Sequence, residues 1–195
     1  MSEIIRSMRD TDVPRILEVY HDAFAGAPWF EDLSNEELQR RWFELKRHAL
    51  FDGLVFEKNR KIVGVHLWYY LTPTILAKQR GQKLVDWLTR EINLVNMRKK
   101  IKPRITLQSI LIIWEAEVIV HPDFQGQGIA TLLRKQFIEK MQKRLIYGLV
   151  LSRMRDDNIG SIKTAEKLGF RKTGVQQPAR EKPKMHDYWY LKLNM

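Results

Sequence analysis

The chain has 195 residues, of which 44% are hydrophobic and 29% are charged, and its formal net charge is +11. This composition excludes a disordered chain and predicts one globular domain, residues 1–195, with a core of its own. The absence of cysteine excludes disulfides, cysteine-ligated zinc and a cysteine nucleophile.

The chain shows no membrane segment, because no apolar run approaches the roughly 20 residues that a spanning helix needs. Its first residues lack the apolar region of a signal peptide, so we expect a cytoplasmic protein that contacts no membrane. The five histidines show no metal-ligand spacing, and no metal site is predicted. The positive charge favours anionic partners, namely the phosphates of a cofactor, a nucleic acid or an acidic protein surface.

The first seventy residues predict a strand, two helices and a hairpin. The second helix has the clearest start, since Ser34 and Glu37 form the pattern of a capping box. The predicted elements are a strand at residues 4–8, a helix over 13–24, a helix that follows Ser34, and a hairpin formed by 54–57 and 62–70. Gly64 in the second hairpin strand indicates a bulge or close packing.

Residues 72–104 predict a helical insertion. Leu84, Leu88 and Ile92 recur at helical spacing and mark one face of a helix. The insertion ends in a basic run at 98–104. That run is consistent with the solvent-exposed end of a helix, where lysine and arginine complement the helix dipole, and also with a surface for an anionic partner.

A strand, a glycine turn and a helix follow one another within residues 110–141. Apolar β-branched residues predict a strand up to Val120, before a His-Pro pair. Gly126 and Gly128 form the turn. From Ile129 onward apolar residues recur every four positions, as they do on one face of a helix.

The junction between this turn and its helix is suited to an anion. The first N–H groups of a helix have no carbonyl partner, and the helix dipole adds partial positive charge there. Glycines let a phosphate approach the backbone closely, although the same turn also serves as a plain strand-to-helix connection. Ile129 and Ala130 exclude a P-loop, and Thr131 departs from the dinucleotide fingerprint.

Two blocks of sequence resemble the GNAT superfamily of N-acetyltransferases. The pattern Gln-x-x-Gly-x-Ala at 125–130, preceded by Val-x-Val-x-Pro at 118–122, resembles the acetyl-CoA signature of that superfamily. The second block begins with Asn-Ile-Gly-Ser at 158–161 and ends with Ala-Glu-Lys-Leu-Gly-Phe-Arg at 165–171. The order and spacing of the blocks agree with the family.

The resemblance implies a single-domain α/β fold, a GNAT-like mixed β-sheet flanked by helices, in which residues 72–104 are an insertion. It implies transfer of an acetyl group from acetyl-CoA to a primary amine, by direct attack in a ternary complex. The acceptor is expected to be a small-molecule amine or a protein or peptide amine. Whether the protein is a monomer or a homodimer is left open.

The resemblance also assigns a cofactor site for coenzyme A. It implies that the pyrophosphate is bound by the backbone of Gln125, Gly126, Gln127, Gly128, Ile129, Ala130 and Thr131. The strand residues Val118, Ile119 and Val120 are expected to pair with the pantetheine arm. Asn158 is expected to contact the same arm, and it equally fits a plain helix N-cap.

Glu117 and Glu115 are the candidates for the general base, because family members often place a carboxylate on this strand. Alternation along the strand predicts that both point away from the face of Val118 and Val120. A carboxylate in a central strand is costly to desolvate, which raises its pKa and suits it to accept a proton. Alternatively, either side chain reaches solvent or pairs with a lysine.

The sequence departs from the family at the residue expected to protonate the departing thiolate. Many family members carry a tyrosine where this chain has Ala165. Tyr188, Tyr190, Ser161 or water is the candidate replacement. The missing tyrosine supports a second hypothesis, that the protein is a catalytically weak acyl-CoA-binding module. The basic run sustains a third, a nucleic-acid-associated or ribosome-associated protein on the same fold.

Overall fold

The computed structural model describes residues 2–26, 29–99, 105–179 and 183–195. The helices are α1 (Val13–Ala25), α2 (Asn35–Lys46), α3 (Pro73–Arg80), α4 (Gln82–Lys99), α5 (Ile129–Arg144) and α6 (Ile159–Lys167). The strands are β1 (Glu3–Ser7), β2 (Asp52–Lys58), β3 (Lys61–Leu71), β4 (Leu111–Val120), β5 (Gly148–Arg155), β6 (Arg171–Pro178) and β7 (Met185–Leu193). Within these residues the strands form one mixed sheet in the order β1-β2-β3-β4-β5-β7-β6, which confirms the predicted α/β fold.

The chain divides into two compact units. The first comprises residues 1–69 and 115–140, and the second comprises residues 70–114 and 141–195. The first unit contains α1, α2, most of α5, the first two strands and parts of β3 and β4. The second contains the insertion, α6 and the last three strands. The single domain expected for residues 1–195 stays a prediction.

The first unit has helices on both faces of its strands. Val55 of β2 and Val65 of β3 are buried against Ile16 of α1 and Trp42 of α2. The neighbouring residue Gly64 faces the other way, because side chains alternate along a strand. A Cβ placed on Gly64 would lie 2.7 Å from Cγ2 of Ile129, so α5 packs directly on the backbone here. The close packing predicted for Gly64 is confirmed, and β3 also carries an irregularity next to it.

The second unit is built on β5, β7 and β6, which pair antiparallel in that order. The predicted insertion is present but consists of two helices, α3 and α4, which separate at Gly81 with a φ of 93°. The Trp87 ring of α4 lies 4.6 Å from the Tyr190 ring of β7, and Lys192 forms an ion pair with Glu91 at 2.8 Å. In the basic run predicted at 98–104, residues 100–104 lie outside the described residues.

Two predicted helix starts are confirmed by their hydrogen bonds. Ser34 and Glu37 form the full capping box at the start of α2. The Asn158 side chain accepts a hydrogen bond from the Ser161 N–H at 3.2 Å and caps α6. Gly169 ends α6 with a φ of 87°. These local rules hold because each end satisfies backbone groups that the helix itself leaves without partners.

Candidate functional site

The end of β4 is fixed to the turn that follows it. The His121 N–H donates to the Val63 carbonyl at 2.9 Å, which ties the strand end to β3. A single 3-10 turn, Pro122–Phe124, comes next. The Gln125 side-chain amide then donates back to the Val120 carbonyl at 3.1 Å. Gln125 therefore holds the loop closed through its side chain, in addition to any role of its backbone.

The two glycines of the turn adopt backbone conformations that other residues avoid. Gly126 has a φ of 74° and Gly128 a φ of 81°, both in the left-handed region. A Cβ built on either residue meets no atom within 4 Å. Glycine is therefore required here by backbone conformation rather than by packing inside the protein. The space above the turn is open for a ligand to approach the backbone.

The turn leads directly into the N-terminus of α5. The first helical hydrogen bond runs from the Leu132 N–H to the Gly128 carbonyl at 3.0 Å, so Gly128 occupies the cap position. The N–H groups of Ile129, Ala130 and Thr131 are thus those of the first helical turn, where the helix dipole is positive. Ile129 itself is buried against Gly64 and anchors the helix start. The arrangement fits the diphosphate of a nucleotide cofactor.

A lysine side chain stands beside the turn. Lys58 of β2 donates to the Gln127 side-chain oxygen at 3.2 Å and forms an ion pair with Glu3 at 2.9 Å. Its ammonium group also lies 5.9 Å from the centre of the Phe124 ring. Lys58 thus places an ammonium group, shared with Glu3, beside the positive end of the helix dipole at this turn. Sequence reasoning missed Lys58, because no local pattern connects β2 with the turn.

The predicted strand residues Val118, Ile119 and Val120 occupy the end of β4. Ile119 is buried in an apolar cluster with Val19, Tyr20, Leu33 and Leu38, whereas Val118 and Val120 are half-buried. Ile119 therefore anchors the strand to α1, and its side chain belongs to the core.

Glu117 faces α1. The Tyr20 hydroxyl donates to Oε1 of Glu117 at 3.3 Å. Burial, with the Glu117 charge next in size, raises the pKa of Tyr20 above its ordinary value, so Tyr20 keeps its proton and acts as a donor. Arg41 of α2 binds Tyr20 and forms an ion pair with Glu31 at 2.8 Å. Glu117 thus belongs to a network of hydrogen bonds and an ion pair that reaches α2 through Tyr20 and Arg41, and the sequence did not indicate this network.

An aromatic row extends from Tyr20 along α1. The Phe24 ring stacks on the Tyr20 ring at 4.4 Å, and the Trp29 ring lies 5.3 Å from Phe24. The next residue, Phe30, is 74% exposed and has a φ of 51°. The row begins at the tyrosine whose hydroxyl contacts Glu117.

Glu115 faces α5 and is buried. Arg134 holds both of its oxygens, with Nε and Nη2 each 2.9 Å away, and Nε2 of His66 lies 3.2 Å from Oε1. Burial alone raises the pKa of Glu115, but the Arg134 charge, the nearby His66 ring and the hydrogen bonds from Arg134 bring it below its ordinary value. Glu115 is therefore an ionised structural carboxylate.

The prediction that Glu115 and Glu117 share one face of β4 is wrong. Ala116 packs against the apolar cluster of α1 and α2, and Glu117 contacts Tyr20 on the same side. Two successive residues thus face one way, which strict strand alternation forbids. The strand is therefore irregular at Ala116 and Glu117, and the irregularity turns the Glu117 side chain toward α1, as bulges do near functional sites.

The second unit contains the remaining predicted site residues. Asn158 caps α6, so its side-chain oxygen already accepts the Ser161 N–H. Tyr188 is buried, its hydroxyl donates to Gln177 at 2.5 Å, and burial raises its pKa. Ala165 is fully buried in α6. Tyr188 is thus a neutral donor with an occupied hydroxyl.

The described part of the chain contains no cluster of three or more histidine, aspartate or glutamate side chains able to hold a metal ion. Within the same residues, no helix combines the length and apolarity that crossing a membrane requires.

Comparison with known proteins agrees with this geometry. A family model described as an acetyltransferase (GNAT) domain matches residues 4–171. No curated protein sequence matches the chain significantly. An N-acetyltransferase from Staphylococcus aureus Mu50 is similar in structure, with a TM-score of 0.64, 17% identity and 98% of each chain covered.

Two further solved structures share the fold. The ribosomal-protein-S18-alanine N-acetyltransferase from Escherichia coli has a TM-score of 0.62 and 15% identity, with 100% of this chain and 96% of that chain covered. A putative acetyltransferase from Salmonella typhimurium with its cofactor acetyl-CoA has a TM-score of 0.63 and 18% identity, with the same coverage. The chain belongs to the GNAT family of acetyltransferases, and acetyl-CoA is the cofactor of that family.

Proposed function

We propose that the protein transfers the acetyl group of acetyl-CoA to a primary amine, by direct attack of the amine in a ternary complex. The observation that carries the proposal is the open turn at Gly126 and Gly128, whose two left-handed glycines lead into the first turn of α5. Acetyl-CoA supplies the acetyl group as a thioester. The residues of this chain bind that cofactor, orient it and remove a proton from the amine.

Cofactor binding is assigned to backbone groups. The turn from Gln125 to Thr131 is proposed to hold the pyrophosphate through the N–H groups after Gln125, whose own N–H donates to the Pro122 carbonyl at 3.1 Å, and the α5 dipole balances the charge. The backbone at Val118 to Val120 is proposed to pair with the pantetheine arm as an added strand would, and Asn158 to contact the same arm. Because these contacts are mostly main-chain, they depend on conformation more than on side-chain identity.

Glu117 is proposed as the general base. It is half-buried, and Tyr20 orients it through one oxygen. Glu115 fits the role less well, because Arg134 occupies both of its oxygens and holds it ionised. A base must reach the proton it removes, and a carboxylate buried in a bidentate ion pair cannot do so without breaking the pair.

The candidates for the acid that protonates the departing thiolate are Tyr188 and water. Tyr188 is the candidate of the second unit, and its raised pKa means that it carries a proton at neutral pH. Its hydroxyl donates to Gln177, so it would have to exchange that partner to act as the acid. Water is the alternative. The buried Ala165 is the observation that favours the second candidate function, a catalytically weak acyl-CoA-binding module.

The acceptor is proposed to be a small-molecule amine or a protein or peptide amine. The similarity in fold to a ribosomal-protein-S18-alanine N-acetyltransferase supports testing peptide N-termini. The net charge of +11 supports testing ribosomal and nucleic-acid association, which is the third candidate function. Binding of RNA or DNA that does not weaken with salt, or no binding at all, would dismiss that candidate.

Release of the coenzyme A thiol tests the proposal directly. The chain contains no cysteine, so a thiol-reactive dye reports coenzyme A with no background from the protein. Amines, amino acids and peptides are supplied with acetyl-CoA, and the acetylated product is identified by mass spectrometry. Thiol release that depends on an amine supports the transferase. Tight acetyl-CoA binding with no thiol release across the panel supports the binding module instead.

A further inference from the structure

The side chain of Gln127 is held at both ends of its amide group. Its Nε2 donates to the Asp123 carbonyl at 3.3 Å, and its Oε1 accepts from Nζ of Lys58 at 3.2 Å. A lysine ammonium group only donates and a carbonyl oxygen only accepts, so these two partners fix the orientation of the amide. Gln127 therefore ties the glycine turn to the 3-10 turn before it and to β2.

Gln127 stands between the two glycines that shape the turn. Gly126 has a φ of 74° and Gly128 a φ of 81°, and no atom lies within 4 Å of a Cβ built on either residue. Glycine loses more conformational freedom than any other residue when it is ordered, and packing does not restrain these two. The restraint comes from the neighbouring side chains, since Gln125 holds the start of the turn to β4 and Gln127 holds its middle.

Lys58 is itself fixed to the sheet. Its side chain is 20% exposed, and its ammonium group forms an ion pair with Glu3 of β1 at 2.9 Å. The same group lies 5.9 Å from the centre of the Phe124 ring, which is the outer limit of a cation–π contact. Lys58 thus joins the paired strands β1 and β2 and presents one donor to the side chain of Gln127.

These contacts favour a role of Lys58 in the shape of the turn over a role as a free charge for a phosphate. Glu3 offsets its positive charge, and Gln127 occupies one of its three donors. A binding site that already has the bound conformation loses less conformational freedom when its ligand arrives, and it binds more tightly for that reason. The contact between Lys58 and Gln127 can raise affinity in this way while it stays intact.

We propose that Lys58 is a positioning residue for acetyl-CoA, which acts through Gln127 by holding the glycine turn in the conformation that binds the pyrophosphate. The inference rests on the proposed function, because it takes this turn as the pyrophosphate site. It deepens that function by assigning part of the cofactor affinity to a contact between two residues that are 69 positions apart in the chain. Loss of the contact weakens cofactor binding and leaves the chemical step unchanged.

Calorimetric titration with acetyl-CoA and steady-state kinetics test the proposal on K58M, Q127A and the double variant K58M/Q127A. Methionine keeps the unbranched shape of the lysine side chain and removes its charge and its donors. The control is K61M, because Lys61 is exposed and lies opposite Lys58 in the hairpin, so the same charge is lost close by. Unfolding of each variant in urea shows whether its fold is intact.

K58M should weaken acetyl-CoA binding by about two- to tenfold, which is the range that one hydrogen bond accounts for. The KM for acetyl-CoA should rise, while kcat at saturating acetyl-CoA stays at the wild-type value. K58M/Q127A should bind no more weakly than Q127A, and K61M should match the wild type. An equal loss from K58M with and without Gln127, or a loss that disappears at high salt, overturns the proposal, because Lys58 would then attract the phosphates directly.

The ¹⁵N relaxation of Gly126 and Gly128 tests the contact in the cofactor-free protein. The order parameters of both glycines should fall in K58M and in Q127A and stay unchanged in K61M. Unchanged order parameters in K58M and Q127A overturn the proposal, whatever the affinities are. If K58M does not fold, Q127A, which changes an exposed side chain, decides by the same two measurements. If the wild type does not bind acetyl-CoA, the proposed function fails, and the relaxation data still decide whether Lys58 holds the turn.

Discussion

Tyr20 on α1 donates a hydrogen bond to Glu117 on β4, with 3.3 Å between the two oxygens. Glu115, two residues earlier on the same strand, faces α5 and is held by Arg134. One strand thus presents one carboxylate to the α1 side and fixes the other in the core. We expect the two glutamates to differ in what they affect, Glu117 the chemistry and Glu115 the stability.

Replacing Tyr20 with phenylalanine should shift the pH dependence of acetyl transfer. The hydroxyl stabilises the charged form of Glu117, and a hydrogen bond to a charged group contributes about 1.5–3 kcal/mol. Losing it should therefore raise the pKa of the base. The acid limb of the kcat/KM profile should therefore move to higher pH, with the affinity for acetyl-CoA unchanged.

The matched control is Y70F, which removes a hydroxyl that contacts the Met141 sulfur in the second unit. Its pH profile should match that of the wild type. If Y20F and Y70F both leave the acid limb in place, Tyr20 does not orient the base.

Replacing Glu117 with glutamine should lower kcat by about 10²–10⁴-fold, which is the usual contribution of a general base. The affinity for acetyl-CoA should stay the same, because Glu117 is assigned no cofactor contact. The thiol-release rate and the calorimetric titration of acetyl-CoA measure the two quantities separately. Turnover at the wild-type rate would remove Glu117 as the base.

Replacing Glu115 with glutamine should destabilise the fold. The change removes the carboxylate charge that Glu115 places against the buried Arg134 guanidinium, and breaking a buried pair in this way costs about 3–5 kcal/mol. The free energy of unfolding in urea measures the loss. The double variant E115L/R134L removes both charges and should recover most of it. A fully stable E115Q that has lost its turnover would show that Glu115, not Glu117, serves the chemistry.

The same ion pair predicts how stability changes in acid. The pKa of Glu115 is lower in the folded state than its ordinary value, so the folded state holds the proton more weakly than the unfolded chain does. The contribution of the pair is complete above the unfolded pKa of about 4.3 and declines as the pH falls toward the folded value. Unfolding followed from pH 6 to pH 3 should show this decline in the wild type and a shallower one in E115L/R134L.

Replacing Gly64 with alanine should destabilise the packing of α5 on β3. The new Cβ would lie 2.7 Å from Cγ2 of Ile129 and 3.2 Å from Cδ1 of Leu133. Overpacking of this kind costs about 1–3 kcal/mol, and here it also displaces the start of the helix. The affinity for acetyl-CoA should fall with the stability.

The control for G64A is G26A just after α1, where the φ is −96° and a Cβ meets no atom within 4 Å. That change should leave acetyl-CoA binding unaltered and stabilise the fold by about 0.4–1 kcal/mol. A G64A variant with wild-type stability and affinity would mean that Ile129 moves aside at no cost.

The sequence predicted those helix caps and turns that depend only on residues close together in the chain. The capping box at Ser34, the cap at Asn158 and the turn at Gly126 and Gly128 each depend on residues within a few positions of one another. The gap between α3 and α4 at Gly81 was missed, since both helices continue the same apolar spacing.

Contacts between distant segments could not be predicted in this way. The alternation rule failed at Ala116 and Glu117, because the break in β4 depends on packing against α1. The pairing of Glu115 with Arg134, and the meeting of Arg80 with β7, depend on strand register and helix placement that no short pattern encodes. Which of Glu115 and Glu117 is buried therefore depends on contacts between segments that are distant in the sequence.

The central claim is that the turn before α5 binds acetyl-CoA, and a titration of wild type and G128V tests it most directly. Valine is strongly disfavoured at a φ of 81°, and its side chain would fill the open space above the turn. The control G174V carries the same strain at a φ of 79°, also with no atom near its Cβ, in β6.

Calorimetry with acetyl-CoA should show saturable binding by the wild type and by G174V. G128V should lose at least about tenfold in affinity, which corresponds to about 1.4 kcal/mol. Equal affinity in all three proteins would contradict the account, because acetyl-CoA would then bind without the turn. No binding by the wild type at millimolar acetyl-CoA would contradict it as well.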